Sequence, residues 1–208
     1  MDGQQGKLHM RGVSFYLSPV TMVDFDTFGE YNVSWKSGFV CEGYMKYRLA
    51  EKRDIEPICQ LVASAIGEME NRRIFQWDSI YPTKEEFLDD IQKRTLYIGI
   101  LDHDIAVVFT INKECDEQYQ NGVWEKPDSE YRVIHRLCVA PAYQNRGIAK
   151  DTLDYIENEL REAGVESIRL DVFCNNPFAL SLCRNNGYNE VGTVSWRKGK
   201  FFLMEKSL

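Results

Sequence analysis

The sequence predicts a mixed α/β domain in which helices flank a sheet of mixed strand direction. Two observations lead to this fold class. From residue 46 onward, short apolar stretches of strand length alternate with longer segments whose apolar residues recur at helical spacing. The order of these segments, β-α-α-β-β-β-α-β-α-β-β, contains consecutive strands as well as strands separated by a helix. Consecutive strands joined by a short turn pair antiparallel, so the order excludes an uninterrupted doubly wound fold.

The first part of the pattern predicts one strand and two helices. Lys46–Leu49 has the length of a strand, and Asp54 stands where it could cap the helix that follows. Thr83 and Glu86 have the spacing of a capping box at the start of a second helix. The apolar positions at helical spacing are Ile55, Ile58, Val62, Ala65 and Met69 in the first helix, and Phe87 and Ile91 in the second.

The middle of the chain predicts a hairpin and a further strand. Leu96–Ile100 and Ile105–Ile111 are apolar runs separated by Asp102-His103-Asp104, a composition typical of a tight turn. A polar loop, Cys115–Glu130, separates this hairpin from the strand Tyr131–Val139.

The last part predicts two helices and three strands. The third predicted helix of the chain ends at Gly164 and leads into the strand Ile168–Phe173. Asn176 is placed to cap the next helix, with Pro177 at its first position and Gly187 after its end. The apolar positions at helical spacing in this third helix are Ala149, Leu153, Ile156, Leu160 and Ala163. Two terminal strands, Glu190–Trp196 and Phe201–Glu205, are predicted around the turn Arg197–Lys200.

Residues 1–44 differ in composition from residues 45–208. They are rich in glycine and aromatic residues and poor in aliphatic residues at helical spacing, although Val13–Leu17 and Tyr31–Trp35 could form strands. Three interpretations stay open: a natural extension that packs on the domain, a translated upstream stretch, or a remnant of cloning. We therefore predict an N-terminal extension over 1–44 and one domain over 45–208.

Composition and charge narrow the function classes. The chain has 208 residues, 44% of them hydrophobic, which is typical of a globular protein. Its net charge of −7 argues against nucleic acid or a membrane surface as the main partner and leaves room for a cationic substrate. The six cysteines are scattered, so we expect no metal site and a reducing compartment. No secretory signal or membrane-spanning stretch is visible, and we expect a cytoplasmic location.

The stretch after the strand Tyr131–Val139 carries the chemistry. Pro141 ends the strand, and Gln144-Asn145-Arg146-Gly147-Ile148-Ala149 leads directly into a strongly amphipathic helix. The first amides of a helix have no internal partner, and together with the helix dipole they form an anion site suited to a diphosphate. Gly147 would allow close approach of a ligand, and Arg146 adds a positive charge. The alternative is an ordinary helix start with a tightly packed glycine.

Three segments together resemble the GCN5-related N-acetyltransferase (GNAT) family. They are Arg136-Leu137-Cys138-Val139-Ala140-Pro141, the Q-x-x-G-x-A loop from Gln144, and Asn176-Pro177-Phe178-Ala179 followed by Gly187-Tyr188. The resemblance covers about residues 45–208. Phe75-Gln76-Trp77 with Tyr81-Pro82 also looks like a bacterial subgroup of this family.

The resemblance implies a fold and an acyl donor. The fold would be the acyl-CoA N-acyltransferase fold, a mostly antiparallel sheet whose parallel central strands, 132–139 and 168–173, splay apart. Acetyl-CoA would lie between them as the acyl donor. Main-chain groups of Leu137, Cys138 and Val139 would pair with its pantetheine arm. The amides of Gln144, Asn145, Arg146, Gly147, Ile148 and Ala149 would hold the diphosphate, and Asn176 would contact the arm, cap its helix, or do both.

Acetyl transfer to an amine needs a neutral nucleophile, stabilisation of the tetrahedral oxyanion and a proton for the departing thiolate. The family places a tyrosine, as the acid, where this chain has Cys183; a thiol could donate the proton, or Cys183 could simply pack in the core. His135 titrates in the range useful for a base, or it is structural. Glu130 and Asp171 are rivals, and water could relay the proton.

The acceptor is predicted to be the amine of a small molecule or a peptide. The resemblance implies an acceptor pocket walled by Trp77, Tyr81, Glu70 and Tyr143, although the aromatic residues could instead belong to the core. Aromatic faces and acidic charge would suit a cationic amine. A homodimer through the terminal strands is a further expectation. The alternative function is a module that senses acyl-CoA without catalysis, and a third possibility, modification of aminoacyl-tRNA, fits poorly with the acidic charge.

Overall fold

The computed structural model describes residues 30–31 and 44–208, with only the backbone described for the first pair. The predicted strand Val13–Leu17 lies outside the described residues, and Tyr31–Trp35 is described only at Tyr31, which belongs to a two-residue strand. Within the described part of the chain, every helix is too short or too polar to span a lipid bilayer.

The sheet has the mixed direction that the sequence predicts. Among the described residues, its strands lie in the order β1-β2-β3-β4-β5-β6-β8-β7. The pair β5–β6 is parallel and the other neighbouring pairs are antiparallel. The strands are β1 (Glu30–Tyr31), β2 (Met45–Leu49), β3 (Leu96–Leu101), β4 (Asp104–Asn112), β5 (Tyr131–Val139), β6 (Ser167–Phe173), β7 (Asn189–Trp196) and β8 (Gly199–Ser207).

The four predicted helices are present. They are α1 (Ile55–Asn71), α2 (Lys84–Gln92), α3 (Ile148–Glu162) and α4 (Pro177–Asn185). The capping box of α2 is confirmed, since the Glu86 carboxylate accepts from the backbone N–H of Thr83 at 2.6 Å. The prediction that the side chain of Asp54 caps α1 is wrong. Asp54 instead accepts from the N–H of Glu51 at 2.8 Å and from the Arg48 guanidinium, because a 3-10 turn, Lys52–Asp54, precedes the helix.

The hairpin between β3 and β4 is also confirmed. Its turn is formed by Asp102 and His103, which have φ angles of 51° and 75°. Positive φ at both central residues is the requirement of the tight turns that match strand twist, and aspartate tolerates it better than most residues.

The helices cover the two faces of the sheet. Successive strand residues point to opposite faces, so Ile98 packs with Ile58 of α1 and Phe87 of α2, whereas Tyr97 packs with the cluster around α3. The α3 side of the core includes Phe109, Leu153, Ile156, Ile168 and Met204. Burial of both sheet faces holds the central strands in place, and the candidate site lies between two of them, β5 and β6.

Candidate active site

The two parallel strands separate as the resemblance to the GNAT family implies. β5 and β6 pair over three residue pairs, from Tyr131↔Ser167 to Val133↔Arg169, and do not pair beyond Val133. Beyond this point β5 continues along β4, and β6 continues along β8. A cleft of about 790 Å³ lies between them, lined by residues 134–137 on one strand and 170–172 on the other. Within residues 44–208, one edge of β5 is therefore left without a partner strand, which is the condition for pairing with an extended ligand.

A β-bulge at Arg136 turns β5 away from β6. His135 pairs with Thr110 and Cys138 pairs with Val108, so β5 has one residue more than β4 in this interval. Arg136 itself has a φ of 50°, which is uncommon for a residue with a Cβ. Its guanidinium is held by an ion pair with the buried carboxylate of Asp90. In the sequence Arg136 stands out only as part of a motif, which does not predict this role.

The N-terminus of α3 follows directly after β5. Asn145 and Gly147 have φ angles of 60° and 84°, so the chain reverses tightly before the first helical turn. The Gln144 side chain donates from Nε2 to the carbonyl of Val139 at 3.1 Å and ties this loop to the strand. Arg146 is exposed, with its guanidinium 5.4 Å from the Tyr143 ring centroid. A positive φ at Gly147 and the amides of the first helical turn beside a cationic side chain fit an anionic ligand.

The other residues predicted to bind the cofactor differ in how they are exposed. Leu137 lines the cleft, whereas the side chains of Cys138, Val139 and Ile148 are buried, so for these three only main-chain groups are available to a ligand. Ala149 is half-buried at the start of α3. Asn176 caps α4, accepting from the N–H of Ala179 at 3.1 Å.

Asp171 projects into the cleft from β6. Its Oδ1 accepts a hydrogen bond from the hydroxyl of Tyr119 at 2.8 Å. Burial raises the pKa of the Asp171 carboxyl to about 6, and the nearby charge of Asp116 acts in the same direction. The Tyr119 hydrogen bond and the positive charge of Arg136 lower that pKa and only partly offset the burial. A carboxylate with a pKa near neutrality is suited to accepting a proton.

His135 lies on the opposite wall of the cleft. Its Nε2 is 3.0 Å from Asn112 Oδ1 and 3.0 Å from the carbonyl oxygen of Glu114. Both partners are acceptors, so Nε2 carries the proton and donates. Burial, aided by the charge of Arg136, lowers the pKa of His135 to about 4. The imidazole is therefore neutral at pH 7 and a weak base.

The remaining candidates for acid and base occupy different environments. Glu130 lies outside the lining of the cleft, and its ion pairs with Arg132 and Lys113 keep its pKa below the usual range. Cys183 lines the cleft and is buried in the apolar cluster of α3 and α4. Burial raises the pKa of its thiol to about 12, so the thiol stays protonated.

The four residues predicted to bind the acceptor do not lie together. Trp77 and Tyr81 line the cleft, and the Tyr81 hydroxyl accepts from Arg136 Nη1 at 2.9 Å. Trp77 is also buried against α1 and α2, as expected for a core residue. Glu70 is exposed on α1 and Tyr143 donates to Asp104 Oδ2 at 3.0 Å; both lie outside the lining of this cleft.

The contacts that join the segments on this side of the cleft were not predicted from the sequence. Asp78, in the connection between α1 and α2, accepts from Arg197 at 2.7 Å and 2.9 Å and from Lys198 at 3.1 Å. These contacts join two cleft-lining segments that are far apart in sequence, and the basic partners hold the pKa of Asp78 well below its usual range. Tyr119 was missed because it lies in a segment read only as a polar loop.

A family profile described as the acetyltransferase (GNAT) family matches residues 68–188, more than half of the chain. The chain belongs to this family. The mixed sheet, its one parallel pair and the flanking helices are the acyltransferase fold of GNAT proteins. Residues 44–208 contain no group of three His, Cys, Asp or Glu side chains arranged to bind a metal ion.

Several known proteins resemble this GNAT chain. It is 30% identical over 59 residues to the ribosomal protein bS18-alanine N-acetyltransferase of Escherichia coli K12, an alignment that spans 28% of this chain and 40% of that protein. A GNAT acetyltransferase of Streptococcus agalactiae 2603 superimposes with a TM-score of 0.69 at 22% identity, covering 79% of this chain and 95% of that one. A PaiA N-acetyltransferase of Thermoplasma acidophilum, in complex with coenzyme A, superimposes with a TM-score of 0.60 at 16% identity, covering 79% and 99%.

Proposed function

We propose that this protein is an acetyl-CoA-dependent N-acetyltransferase that acts on a primary amine of a small molecule or peptide by direct attack. The observation that carries the proposal is the edge of β5 beyond Val133, which pairs with no strand in the described part of the chain and leads to the amides before α3. An edge of this kind can pair with an extended pantetheine arm, and the helix N-terminus can hold a diphosphate. The titratable side chains of the same cleft then face the acceptor.

The residues of the cleft fit both the pantetheine arm and the diphosphate of the acyl donor. When bound, acetyl-CoA supplies the acetyl group as a thioester. Main-chain groups of Leu137, Cys138 and Val139 would orient its arm. The amides from Asn145 to Ala149 would hold its diphosphate, whereas the N–H of Gln144 already donates to the carbonyl of Pro141 at 3.3 Å. The polar atoms of Asn176 are engaged at both ends, since its Nδ2 donates to Gln76 Oε1 at 2.9 Å and its Oδ1 caps α4. We therefore assign Asn176 to shaping the wall, and any contact with the arm would come in addition.

Asp171 is the best supported proton acceptor in this proposal. The attacking amine must be neutral, and most aliphatic amines are protonated at pH 7. Asp171 faces the cleft and is largely ionised at that pH, because its pKa is about 6. His135 also faces the cleft, but its pKa of about 4 makes it a weaker base, and it is assigned to the wall.

The group that protonates the departing thiolate is assigned to water or to a residue other than Cys183. The Cys183 thiol is shorter than the tyrosine that the family places there, and its apolar surroundings oppose formation of a thiolate. Packing in the core is therefore its main role in this proposal.

The function is tested by measuring thiol release from acetyl-CoA over a panel of polyamines, amino acids, aminoglycosides and peptides. We expect release with at least one amine and a new amide that carries the acetyl group, detected by mass spectrometry. The matched control is the same panel with Asp171→Asn, which keeps the side-chain shape and removes the base. Tight binding of acetyl-CoA without release on any amine would contradict the enzyme.

That contradicting outcome would instead support a module that senses acyl-CoA. The replacement of the family's tyrosine by Cys183 is the observation that favours it. The two functions differ in what a bound acceptor does: a sensor would bind the cofactor equally well with and without amines and would form no product.

A further inference from the structure

A buried ion pair lies behind the acceptor side of the cleft. Arg169 of β6 and Glu205 of β8 face each other in the sheet, with Nε and Oε1 3.4 Å apart. Their side chains are 7% and 1% exposed. A buried pair of this kind adds little net stability compared with a well-packed apolar pair, because both charges lose their hydration.

The outer atoms of both side chains bind the loop between β4 and β5. Glu205 Oε2 accepts from the backbone N–H of Glu125 at 2.6 Å, and Arg169 Nη2 donates to the carbonyl of Lys126 at 2.9 Å. The Arg169 guanidinium also lies over the Trp124 ring, 4.4 Å from its centroid. An apolar pair could fill the same space, but it could not make these polar contacts.

The contacts continue through the loop to Asp171. Trp124 Nε1 donates to the carbonyl of Tyr119 at 3.0 Å, and the two rings stack with centroids 5.7 Å apart. Tyr119 then donates to Asp171, which stands two residues after Arg169 and so projects from the same face of β6. Direct contacts therefore join the ion pair to the carboxyl that faces the cleft.

The loop also lies against the backbone of β7. The N–H of Val123 donates to the carbonyl of Val191 at 2.7 Å. A Cβ at Gly192 would stand 2.8 Å from the carbonyl oxygen of Asn121, closer than side-chain carbons are found. Only glycine leaves room for the loop at this distance, so the position of Tyr119 is fixed from two sides.

We propose that Arg169 and Glu205 are positioning residues, which hold the loop so that Tyr119 covers and hydrogen-bonds the Asp171 carboxyl. The inference rests on the proposed function for its catalytic meaning. The environment of the Asp171 carboxyl can be measured through its pKa in the absence of any turnover.

The charged and titratable groups around Asp171 set the direction of each expected change. The cleft that Asp171 lines is also lined by Glu114, Cys115, Asp116 and Tyr119 of the loop, Arg136 and His135 of β5, Cys183 of α4, Arg197 and Lys198 of the turn after β7, and Tyr81. Burial has the largest effect on the pKa and raises it, whereas the Tyr119 hydrogen bond lowers it. Removing the cover and removing only the hydrogen bond should therefore shift the pKa in opposite directions.

The main test is the double variant Arg169→Met, Glu205→Leu, which replaces the ion pair by apolar side chains of similar size. The pKa of Asp171 is measured by NMR titration of protein with ¹³C-labelled aspartate. We expect it to fall from about 6 toward the ordinary value near 4, because the loop no longer shields the carboxyl. Tyr119→Phe keeps the ring and removes the hydroxyl, so the pKa should rise. Turnover of the double variant should fall about tenfold, since a weaker base accepts the proton less readily.

Matched controls separate positioning from general loss of stability. Lys206→Met with Glu157→Leu removes the ion pair of the adjacent β8 residue, whose side chain lies on the other face of the sheet against α3, and should leave the Asp171 pKa near 6. Glu205→Gln keeps an acceptor for the N–H of Glu125, so the Asp171 pKa should also stay near 6 in this variant. Coenzyme A affinity, measured by calorimetry, should be unchanged in the double variant.

An Asp171 pKa that stays near 6 in the folded double variant would overturn the inference. If that variant fails to fold, Arg169→Lys keeps a buried charge beside Glu205 but loses the planar contacts to the loop, and an unchanged pKa there would overturn it equally. A pKa that falls in a protein with no activity on any amine would support the positioning role and count against the proposed function instead.

Discussion

The two parts of the candidate site are built from different kinds of groups. The part proposed to bind the acyl donor is made of main-chain groups from one continuous stretch, residues 137–149. The part proposed to bind the acceptor is made of side chains from separate segments, among them Tyr119, Asp171 and Trp77. A main-chain site requires a particular backbone path and tolerates many side chains. A side-chain site depends on each residue and on the contacts that position it.

The largest expected effect is at the main-chain part, from Gly147→Glu. A φ of 84° is strained for a residue with a Cβ, by about 1–2 kcal/mol, and a carboxylate there would repel a diphosphate. We expect coenzyme A affinity to fall by about 100-fold or more, measured by calorimetry. Gly147→Asn is the control, because asparagine tolerates this φ and adds no charge, and it should lose about tenfold or less. Unchanged affinity of the glutamate variant would show that this loop does not hold the diphosphate.

The next effect is at the side-chain part, from Asp171→Asn. Removing the proton acceptor should lower kcat by about 100-fold, with coenzyme A affinity unchanged. In the native enzyme kcat/KM should fall below pH 6 as Asp171 becomes protonated, and the variant should lose this inflection. A pH–rate profile that keeps the inflection would assign it to another group.

The same variant has an opposite effect on stability. Because the pKa of Asp171 is raised, the folded state holds a proton that the unfolded chain releases, and stability falls as pH rises from about 4 through about 6. At pH 8, the free energy of unfolding of Asp171→Asn should therefore exceed that of the native chain by on the order of 2 kcal/mol, measured by denaturant titration. Equal stabilities at pH 8 would mean that the carboxyl is better solvated than its position indicates.

A smaller effect is expected from Cys183→Ala. The thiol packs in an apolar cluster, so its removal should cost about 1 kcal/mol of unfolding free energy and leave kcat within about threefold. Cys183→Ser is the matched comparison, since it keeps a donor of similar size but places a hydroxyl in apolar surroundings. A thousandfold loss of turnover in a folded alanine variant would make the thiol the proton donor.

The smallest effect is expected from His135→Gln. The amide can keep a donor to Asn112 and Glu114, and the native imidazole is already uncharged at neutral pH. We expect kcat to change by less than about fivefold, and the pH–rate profile above pH 5 to keep its shape. A loss comparable to that of Asp171→Asn would return the role of base to His135.

Sequence by itself determined the elements and the family features of the main-chain part. Strand length, helical spacing and caps predicted the strands and helices from residue 46 onward, since these signals act between neighbours along the chain. The loop from Gln144 to Ala149 and the helix begun by Asn176 and Pro177 were visible for the same reason. Asp54 shows the limit of such local reasoning, because its ion pair with Arg48 and an extra 3-10 turn altered a cap that looked regular.

Tertiary structure alone decided which side chains meet in the cleft. Tyr119 reaches Asp171 across 52 positions of sequence, and Asp78 reaches Arg197 across 119, distances at which no periodicity carries information. The pKa values of Asp171 and His135 likewise follow from burial, which depends on the packed fold and not on residue type. Backbone conformation is fixed largely by near neighbours, whereas solvation and side-chain contact are fixed by segments that folding brings together.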